Sequence, residues 1–174
     1  MNVTQRQNLA RVATGIRYAA PRSGFDMSRY LATKYVGCEG YDNRDSLRPS
    51  DASPDVYNEC GTTACFAGHG PMFGLPVIDA DYDCWGRYCH RIFGLSPSHR
   101  AWDWLFSPTW ADIDNTPQGA AARAFYYLDR GLPPLFLDHG LPSLFSGDYD
   151  DDDDAIREFR SDRAPYDALI AAYL

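Results

Sequence analysis

The feature that most constrains the fold is a series of short apolar stripes at helical spacing, each bounded by residues that start or stop helices. In the first stripe, Leu9, Val12 and Ile16 recur three or four positions apart. Thr4 and Gln7 precede it with the spacing of a capping box, and a proline and a glycine follow it. This pattern predicts an N-terminal amphipathic helix.

Three later stripes follow the same rule. Asp81 or Asp83 is predicted to cap a helix that ends at Gly94, Ser96 caps the next helix, and Thr116 caps the last of the three. Proline, which is favoured at the first helical position, comes directly after the last two caps. The residues predicted to face inward are Trp85, Tyr88, Cys89, Ile92, Phe93, Trp102, Leu105, Phe106, Ala121, Ala124, Phe125 and Leu128.

The stripes together predict a mainly α fold: a single compact domain over residues 1–174, with about six helices packed around an aromatic core. A short helix capped by Asp26 is also expected. Long irregular loops join the helices: residues 37–59 are polar, residues 132–145 mix apolar residues with proline and glycine, and residues 147–154 are acidic.

The charge is unevenly distributed along the chain. The net charge is −8, yet the first 36 residues contain a single acidic residue, Asp26. The remainder of the chain is therefore strongly acidic. Because an acidic body repels nucleic acid and attracts basic surfaces, we predict a basic protein surface as the partner and no direct binding of DNA or RNA.

The cysteine content and the hydropathy indicate the compartment. Five cysteines in 174 residues do not suggest a disulfide scaffold. No apolar run reaches the roughly 18 residues of a membrane span, and residues 1–10 lack the apolar region of a secretory signal. The expectation is a cytoplasmic protein with free thiols and no membrane association. No nucleotide-binding glycine pattern is present, so no cofactor is predicted.

The densest group of reactive residue types is Cys60-Gly-Thr-Thr-Ala-Cys65-Phe-Ala-Gly-His69-Gly-Pro71. A threonine cap is predicted to start a short helix that carries Cys65 and His69, and the glycines and alanines predict that another backbone packs closely. A thiol near a helix N-terminus has a lowered pKa, and His69 could serve as its base. This arrangement fits a cysteine-dependent hydrolase or transferase, and the competing interpretation is a buried structural thiol.

A zinc-stabilised domain is a further interpretation of the same residues. Cys60, Cys65 and His69 would need a fourth ligand, from a later cysteine or from His90. The spacing of the first pair is at the loose end of the usual range, so we assign no metal ligand from the sequence.

The same phrase resembles a signature, CGTxACxAGHGP, of small bacterial and phage proteins that have no settled function. Trp102-Asp-Trp104-Leu-Phe106 and Asp114-Asn-Thr-Pro117 are similar to later pieces of that group. The resemblance covers roughly the middle half of the chain. It implies a shared fold and an accessory protein of phage or mobile-element origin, and it brings no catalytic assignment.

The acidic run is a candidate binding surface. Read as a calcium-binding loop, it lacks the required glycine and has Phe159 where a bidentate glutamate belongs, so it is not an EF-hand. It is either a solvated loop before a helix or a contact surface for a basic partner. Its residues are Asp148, Asp150, Asp151, Asp152, Asp153 and Asp154.

Trp104 is the second binding candidate. It lies off the helical stripe that contains Trp102, so an exposed position that binds a ligand is one interpretation, and packing in the aromatic core, the leading interpretation for this group of aromatic residues, is the other. No strong catalytic motif is present. The leading hypothesis is a non-enzymatic, acidic, protein-binding accessory module whose partner is a basic surface, such as one on a nucleic-acid-handling complex.

Overall fold

The computed structural model describes residues 1–18, 24–27, 30–32, 47–54, 56, 63–81, 84–139, 166, 168 and 171–172. Its helices are α1 (Val3–Tyr18), α2 (Trp85–Phe93), α3 (Ala101–Phe106), α4 (Trp110–Ile113), α5 (Pro117–Arg130) and α6 (Pro134–His139). Its strands are β1 (Gly24–Phe25), β2 (Leu31–Ala32) and β3 (Thr63–Ala64). Short 3-10 helices occur at Pro49–Asp51, Pro71–Phe73 and Asp79–Asp81. The predicted mainly α fold is confirmed.

The three strands form a minimal sheet in the order β1-β3-β2. β1 runs parallel to β3, with Phe25 opposite Ala64, and β2 runs antiparallel to β3, with Leu31 opposite Ala64. The Asp26 amide extends the β1 pairing by donating to the Ala64 carbonyl at 3.1 Å. The helix expected after Asp26 is therefore wrong, because pairing with a distant strand satisfies the backbone groups that a helix would have used.

Helix α1 forms for the predicted reason but begins earlier. The Gln5 amide donates to Asn2 Oδ1 at 2.9 Å, and the Asn2 amide donates to Gln5 Oε1 at 2.8 Å. The reciprocal cap thus belongs to Asn2 and Gln5, two positions before the predicted pair. Leu9, Val12 and Ile16 are buried as expected, and α1 packs against α5 and α2.

The caps of α5 and α2 are confirmed in part. Thr116 Oγ1 accepts from the Gly119 amide at 3.0 Å, as the cap-then-proline pattern predicted. Gly94 ends α2 with a φ of 71°, a left-handed conformation that suits glycine. The N-cap of α2 is Cys84, which makes no side-chain cap hydrogen bond, so the predicted aspartate cap is wrong.

Helix α3 starts later than predicted. Residues 97–100 form turns, and the helix begins at Ala101 rather than next to Ser96. His99 Nδ1 accepts from the Ala101 amide at 3.0 Å, and the His99 amide donates to the Ser96 carbonyl at 2.9 Å. These local bonds make the approach to α3 a turn. The predicted inward residues Trp102, Leu105 and Phe106 are buried.

The predicted loops are only partly loops. Residues 132–145 were expected to be irregular, but α6 occupies their first half. Of residues 37–59, the structure describes 47–54 and 56. Leu47 connects this part to the core through two hydrogen bonds. Its amide donates to the Leu31 carbonyl at 2.7 Å, and its carbonyl accepts from Trp85 Nε1 at 2.8 Å. Residues 147–154 lie outside the described part of the chain.

The aromatic core has two centres. Phe66, Phe93 and Phe106 contact one another in tilted and edge-on geometries, with ring centroids about 6 Å apart. The second centre is Trp104, whose ring contacts Trp110 at a centroid distance of 5.3 Å. This second centre is where α3, α4 and α5 meet.

Candidate functional site

The Cys65–His69 segment is a tight turn rather than a helix. Thr63 and Ala64 belong to β3, and residues 66–70 are turns. Each residue from Ala64 to Gly70 is buried. The predicted threonine-capped helix is therefore wrong, because residue 63 lies in a strand that pairs on both sides. Without a helix of its own, Cys65 receives no helix dipole of the kind that lowers a thiol pKa.

Two glycines let this turn lie against its neighbours. A Cβ built on Gly68 would lie 1.5 Å from the Tyr30 carbonyl oxygen, and one on Gly70 would lie 2.2 Å from the Tyr88 hydroxyl. Neither position accepts a side chain without displacing its neighbour. The prediction that another backbone packs closely against this segment is confirmed.

The Cys65 thiol is held in its neutral form. Only 2% of the residue is exposed, and burial raises the pKa of the thiol to about 12. Hydrogen bonds from neighbouring backbone amides oppose the rise without cancelling it. Because the thiolate is the nucleophile, this environment is that of a structural thiol.

His69 is also neutral, and it does not activate the thiol through Nδ1. Its Nδ1 lies 2.9 Å from the Cys65 carbonyl oxygen. A carbonyl oxygen only accepts, so Nδ1 carries the proton and donates it. The ring is stacked between Phe25 and Phe73, with centroid distances of 5.8 and 6.3 Å. Burial lowers the pKa of His69 to about 4, although the bond to Cys65 opposes the fall. His69 thus stabilises the turn through its hydrogen bond to Cys65 and its stacking on two aromatic rings.

The zinc interpretation gains no support from the described residues. Within them, no three His, Cys, Asp or Glu side chains come together as a metal would require. Cys84 is half-buried, Cys89 is fully buried, and His90 is exposed, so these three side chains face different environments. The remaining predicted ligand, Cys60, lies outside the described residues.

Trp104 is a core residue, so the interpretation as an exposed binding residue is wrong and the interpretation as core is confirmed. Its exposed fraction is 0%, and its Nε1 donates to the Arg123 carbonyl at 3.1 Å. Its ring contacts those of Phe136 and Tyr166 at centroid distances of 5.6 and 6.4 Å. α3 is short and is covered on more than one side, so a side chain that lies off the Trp102 stripe can still be buried here.

Arg123 is a buried residue that the sequence patterns did not single out. Its exposed fraction is 0%, and its guanidinium carbon lies 3.9 Å from the centroid of the Trp110 ring. Nη1 lies 3.4 Å from Asp114 Oδ2, a long ion pair. Burial lowers the pKa of Arg123 to about 9, and the charge of Asp114 opposes the fall. The group therefore stays protonated at neutral pH.

A signal for the burial of Arg123 is present in the sequence. Three alanines precede it and one follows it, at Ala120, Ala121, Ala122 and Ala124, and all four are buried. A helix that is small and apolar all round is enclosed on all sides, so a charged residue within it is enclosed as well. The helical stripe of α5 alone does not reveal this.

The described residues are electrically balanced. Arginines and aspartates are equally numerous among them, and there is no lysine or glutamate. Ion pairs join Arg91 to Asp81 and Arg130 to Asp129, in addition to the pair of Arg123. The net charge of −8 consequently belongs to residues outside the described ranges, which include all of the predicted acidic binding residues, Asp148, Asp150, Asp151, Asp152, Asp153 and Asp154.

The α1 arginines make contacts with α5. Arg6 donates to the Leu128 carbonyl. The guanidinium of Arg17 lies over the rings of Tyr18 and Phe125, at 5.2 and 6.0 Å. Arg6 and Arg17 therefore contribute to the packing of α1.

Comparison with models of protein families, with curated proteins and with solved structures gives no match to this chain. Among the described helices, none combines the length and the apolar character that crossing a membrane requires.

Proposed function

We propose that this protein is a non-enzymatic, acidic accessory module that binds a basic surface of a protein partner through its Asp148–Asp154 run. A nucleic-acid-handling complex is a partner of the expected chemistry, because the proteins of such complexes carry basic surfaces. The resemblance of Cys60–Pro71 to small bacterial and phage proteins supports an accessory role, and the expected location is the cytoplasm. The proposal includes no cofactor and no direct contact with nucleic acid.

The observation that carries the proposal is the distribution of charge. The described residues contain equal numbers of basic and acidic side chains, so the net charge of −8 comes from the rest of the chain. Six aspartates within residues 148–154 are the densest part of that excess. A compact cluster of one sign steers an oppositely charged partner and orients it during encounter.

The state of the cysteine and histidine supports a binding role over a catalytic one. Cys65 is buried with a pKa of about 12, and His69 is buried with a pKa of about 4. At neutral pH the pair therefore offers neither a thiolate nor an imidazolium. Cys65, Cys84 and Cys89 are free thiols, which is consistent with the expected reducing compartment.

The test uses an immobilised oligoarginine peptide as the basic probe and measures its affinity for the full chain at increasing ionic strength. The Debye length falls from about 10 Å at 0.1 M salt to about 3 Å at 1 M, so we expect affinity to fall on the order of tenfold or more. Removing charge from the run with Asp151→Asn, Asp152→Asn and Asp153→Asn together should weaken binding at low salt.

A matched control distinguishes binding by the Asp148–Asp154 run from a general effect of the protein's net charge. Asp79, Asp103 and Asp138 are exposed and belong to three different helices, so changing all three to Asn removes the same charge from separate elements. The proposal expects this control to bind almost as the wild type does. Equal losses in both triple variants, or binding that is indifferent to salt, would contradict it.

A further inference from the structure

The guanidinium of Arg123 has a complete hydrogen-bonding edge that lacks an acceptor among the described residues. Nη1 faces Asp114, but Nε and Nη2 are buried with no hydrogen-bond partner there. Buried polar groups in folded proteins are almost always satisfied, and an unsatisfied one points to a bound water, ion or ligand. A charged group raises this requirement, because it has lost its hydration as well.

The two unpartnered atoms are adjacent donors with a common direction. In arginine, the Nε hydrogen and one Nη2 hydrogen point the same way and form a planar fork. Such a fork accepts the two oxygens of a carboxylate or phosphate in a bidentate pair. Two unrelated unsatisfied donors would not specify a ligand, whereas one planar fork specifies a group with two acceptor oxygens.

The surroundings favour a singly charged group. Trp110 covers one face of the guanidinium at 3.9 Å, and Trp110 in turn contacts Tyr166 at a centroid distance of 6.1 Å. Asp114 already contributes one negative charge beside Arg123. A carboxylate adds one further charge to this pair, whereas a doubly charged phosphate adds two and is repelled more strongly by Asp114.

The segment between α4 and α5 lies beside the guanidinium on its Nη1 side. Asp114 is half-buried, and Asn115 and Thr116 are exposed. Thr116 Oγ1 donates to Asp114 Oδ1 at 2.6 Å, which fixes the carboxylate over the first turn of α5. Gly119 leaves room for it, because a Cβ there would lie 1.3 Å from Asp114 Oδ2. Arg123 thus pairs with a carboxylate whose next two residues in the chain are exposed.

We propose that the Nε–Nη2 edge of Arg123 binds the carboxylate group of a ligand from solution. Trp110 stacks on the guanidinium and Asp114 holds Nη1, so the fork is oriented before the ligand arrives. This site uses none of the acidic residues proposed to bind a basic partner. Each proposal therefore stands or fails independently of the other.

The test is an NMR titration of the full chain with acetate, replacing chloride at constant ionic strength. The readout is the Nε–H cross peak of Arg123, assigned by through-bond correlation to its own backbone. We expect this peak to shift saturably. Arg91 is the internal control, because its Nε already donates to Asp81 Oδ1 at 3.1 Å and its peak should stay fixed. An Arg123 peak that does not move, or that only drifts in parallel with Arg91, overturns the proposal.

Two further arms identify the source and class of the anion. A peak that responds to inorganic phosphate but not to acetate overturns the assignment to a carboxylate. The triple variant Asp151→Asn, Asp152→Asn, Asp153→Asn tests whether the chain's own carboxylates occupy the fork. If the Arg123 peak of this variant is shifted without acetate and does not respond to added acetate, the chain's own carboxylates bind the fork, and a ligand from solution is overturned. Acetate should also raise the melting temperature of the wild type and of Arg91→Lys, but not that of Arg123→Lys, which keeps the charge and loses the fork.

Discussion

Protonation of His69 should be a major cause of acid unfolding in this protein. The neutral ring is buried between Phe25 and Phe73 and donates from Nδ1 to the Cys65 carbonyl. In the unfolded chain the pKa of a histidine is about 6.5, whereas burial lowers the pKa of His69 to about 4. Between these two values the unfolded state binds more protons than the folded state, so the free energy of unfolding must fall as the pH falls.

The size of the effect follows from the difference between the two pKa values. Each pKa unit corresponds to about 1.4 kcal/mol, so a fall from 6.5 to about 4 corresponds to about 3 kcal/mol. This stabilisation is fully present above about pH 6.5, is lost progressively as the pH falls to about 4, and changes little below that. A loss of about 3 kcal/mol is a large fraction of the 5–15 kcal/mol, roughly, that stabilises a typical domain.

Urea unfolding under reducing conditions measures this contribution when His69→Phe is compared with the wild type. Phenylalanine can still stack between the two rings, but it neither titrates nor donates to Cys65. Loss of that hydrogen bond should cost about 1–3 kcal/mol at every pH. Between about pH 7 and about pH 4 the wild type should lose about 3 kcal/mol more than the variant, because the carboxylates contribute equally to both. Parallel pH profiles would refute the buried neutral histidine.

Three further predictions concern the same turn and the second aromatic centre. Gly68→Ala should destabilise the protein by about 3 kcal/mol or more in urea unfolding, because its Cβ would overlap the Tyr30 carbonyl. Gly86→Ala, in α2, would bring its Cβ to 3.0 Å from the Pro97 ring and 3.5 Å from Cys84 Sγ, and should change stability by less than about 1 kcal/mol. Iodoacetamide followed by peptide mass spectrometry should label Cys65 only after unfolding; rapid labelling of native protein would disprove its burial. Trp104→Phe should cost about 2–4 kcal/mol in thermal or urea unfolding, and a neutral result would mean that the indole is not part of the core.

Local chemistry explains which helices could be predicted from the sequence. Thr116 followed by a proline, and the left-handed Gly94, determine helix ends through bonds that span one turn of chain. Leu9, Val12 and Ile16 likewise need only their spacing to be recognised as one face. These features do not depend on where the rest of the chain lies, which is why the mainly α class follows from the pattern.

The candidate site depends on contacts between distant residues, and local patterns did not predict it. A threonine before a run of small residues favours a helix at Cys65, but β3 pairs with strands that lie more than 30 positions earlier. No local pattern encodes that pairing. What the sequence did carry was the glycine content, which correctly indicated a close backbone contact at Gly68 without naming Tyr30 as the neighbour.

The charged side chains divide into two groups with different physical roles. In the described part of the chain, Arg91 neutralises Asp81 and Arg123 is paired with Asp114, so these charges orient the core and largely cancel at a distance. A partner approaching from solution responds to charge that is not cancelled, and the net charge of −8 comes from the other residues. The proposed encounter with a basic surface therefore depends on residues outside the described part of the chain. Among the described residues, the fork of Arg123 is the group best suited to a ligand.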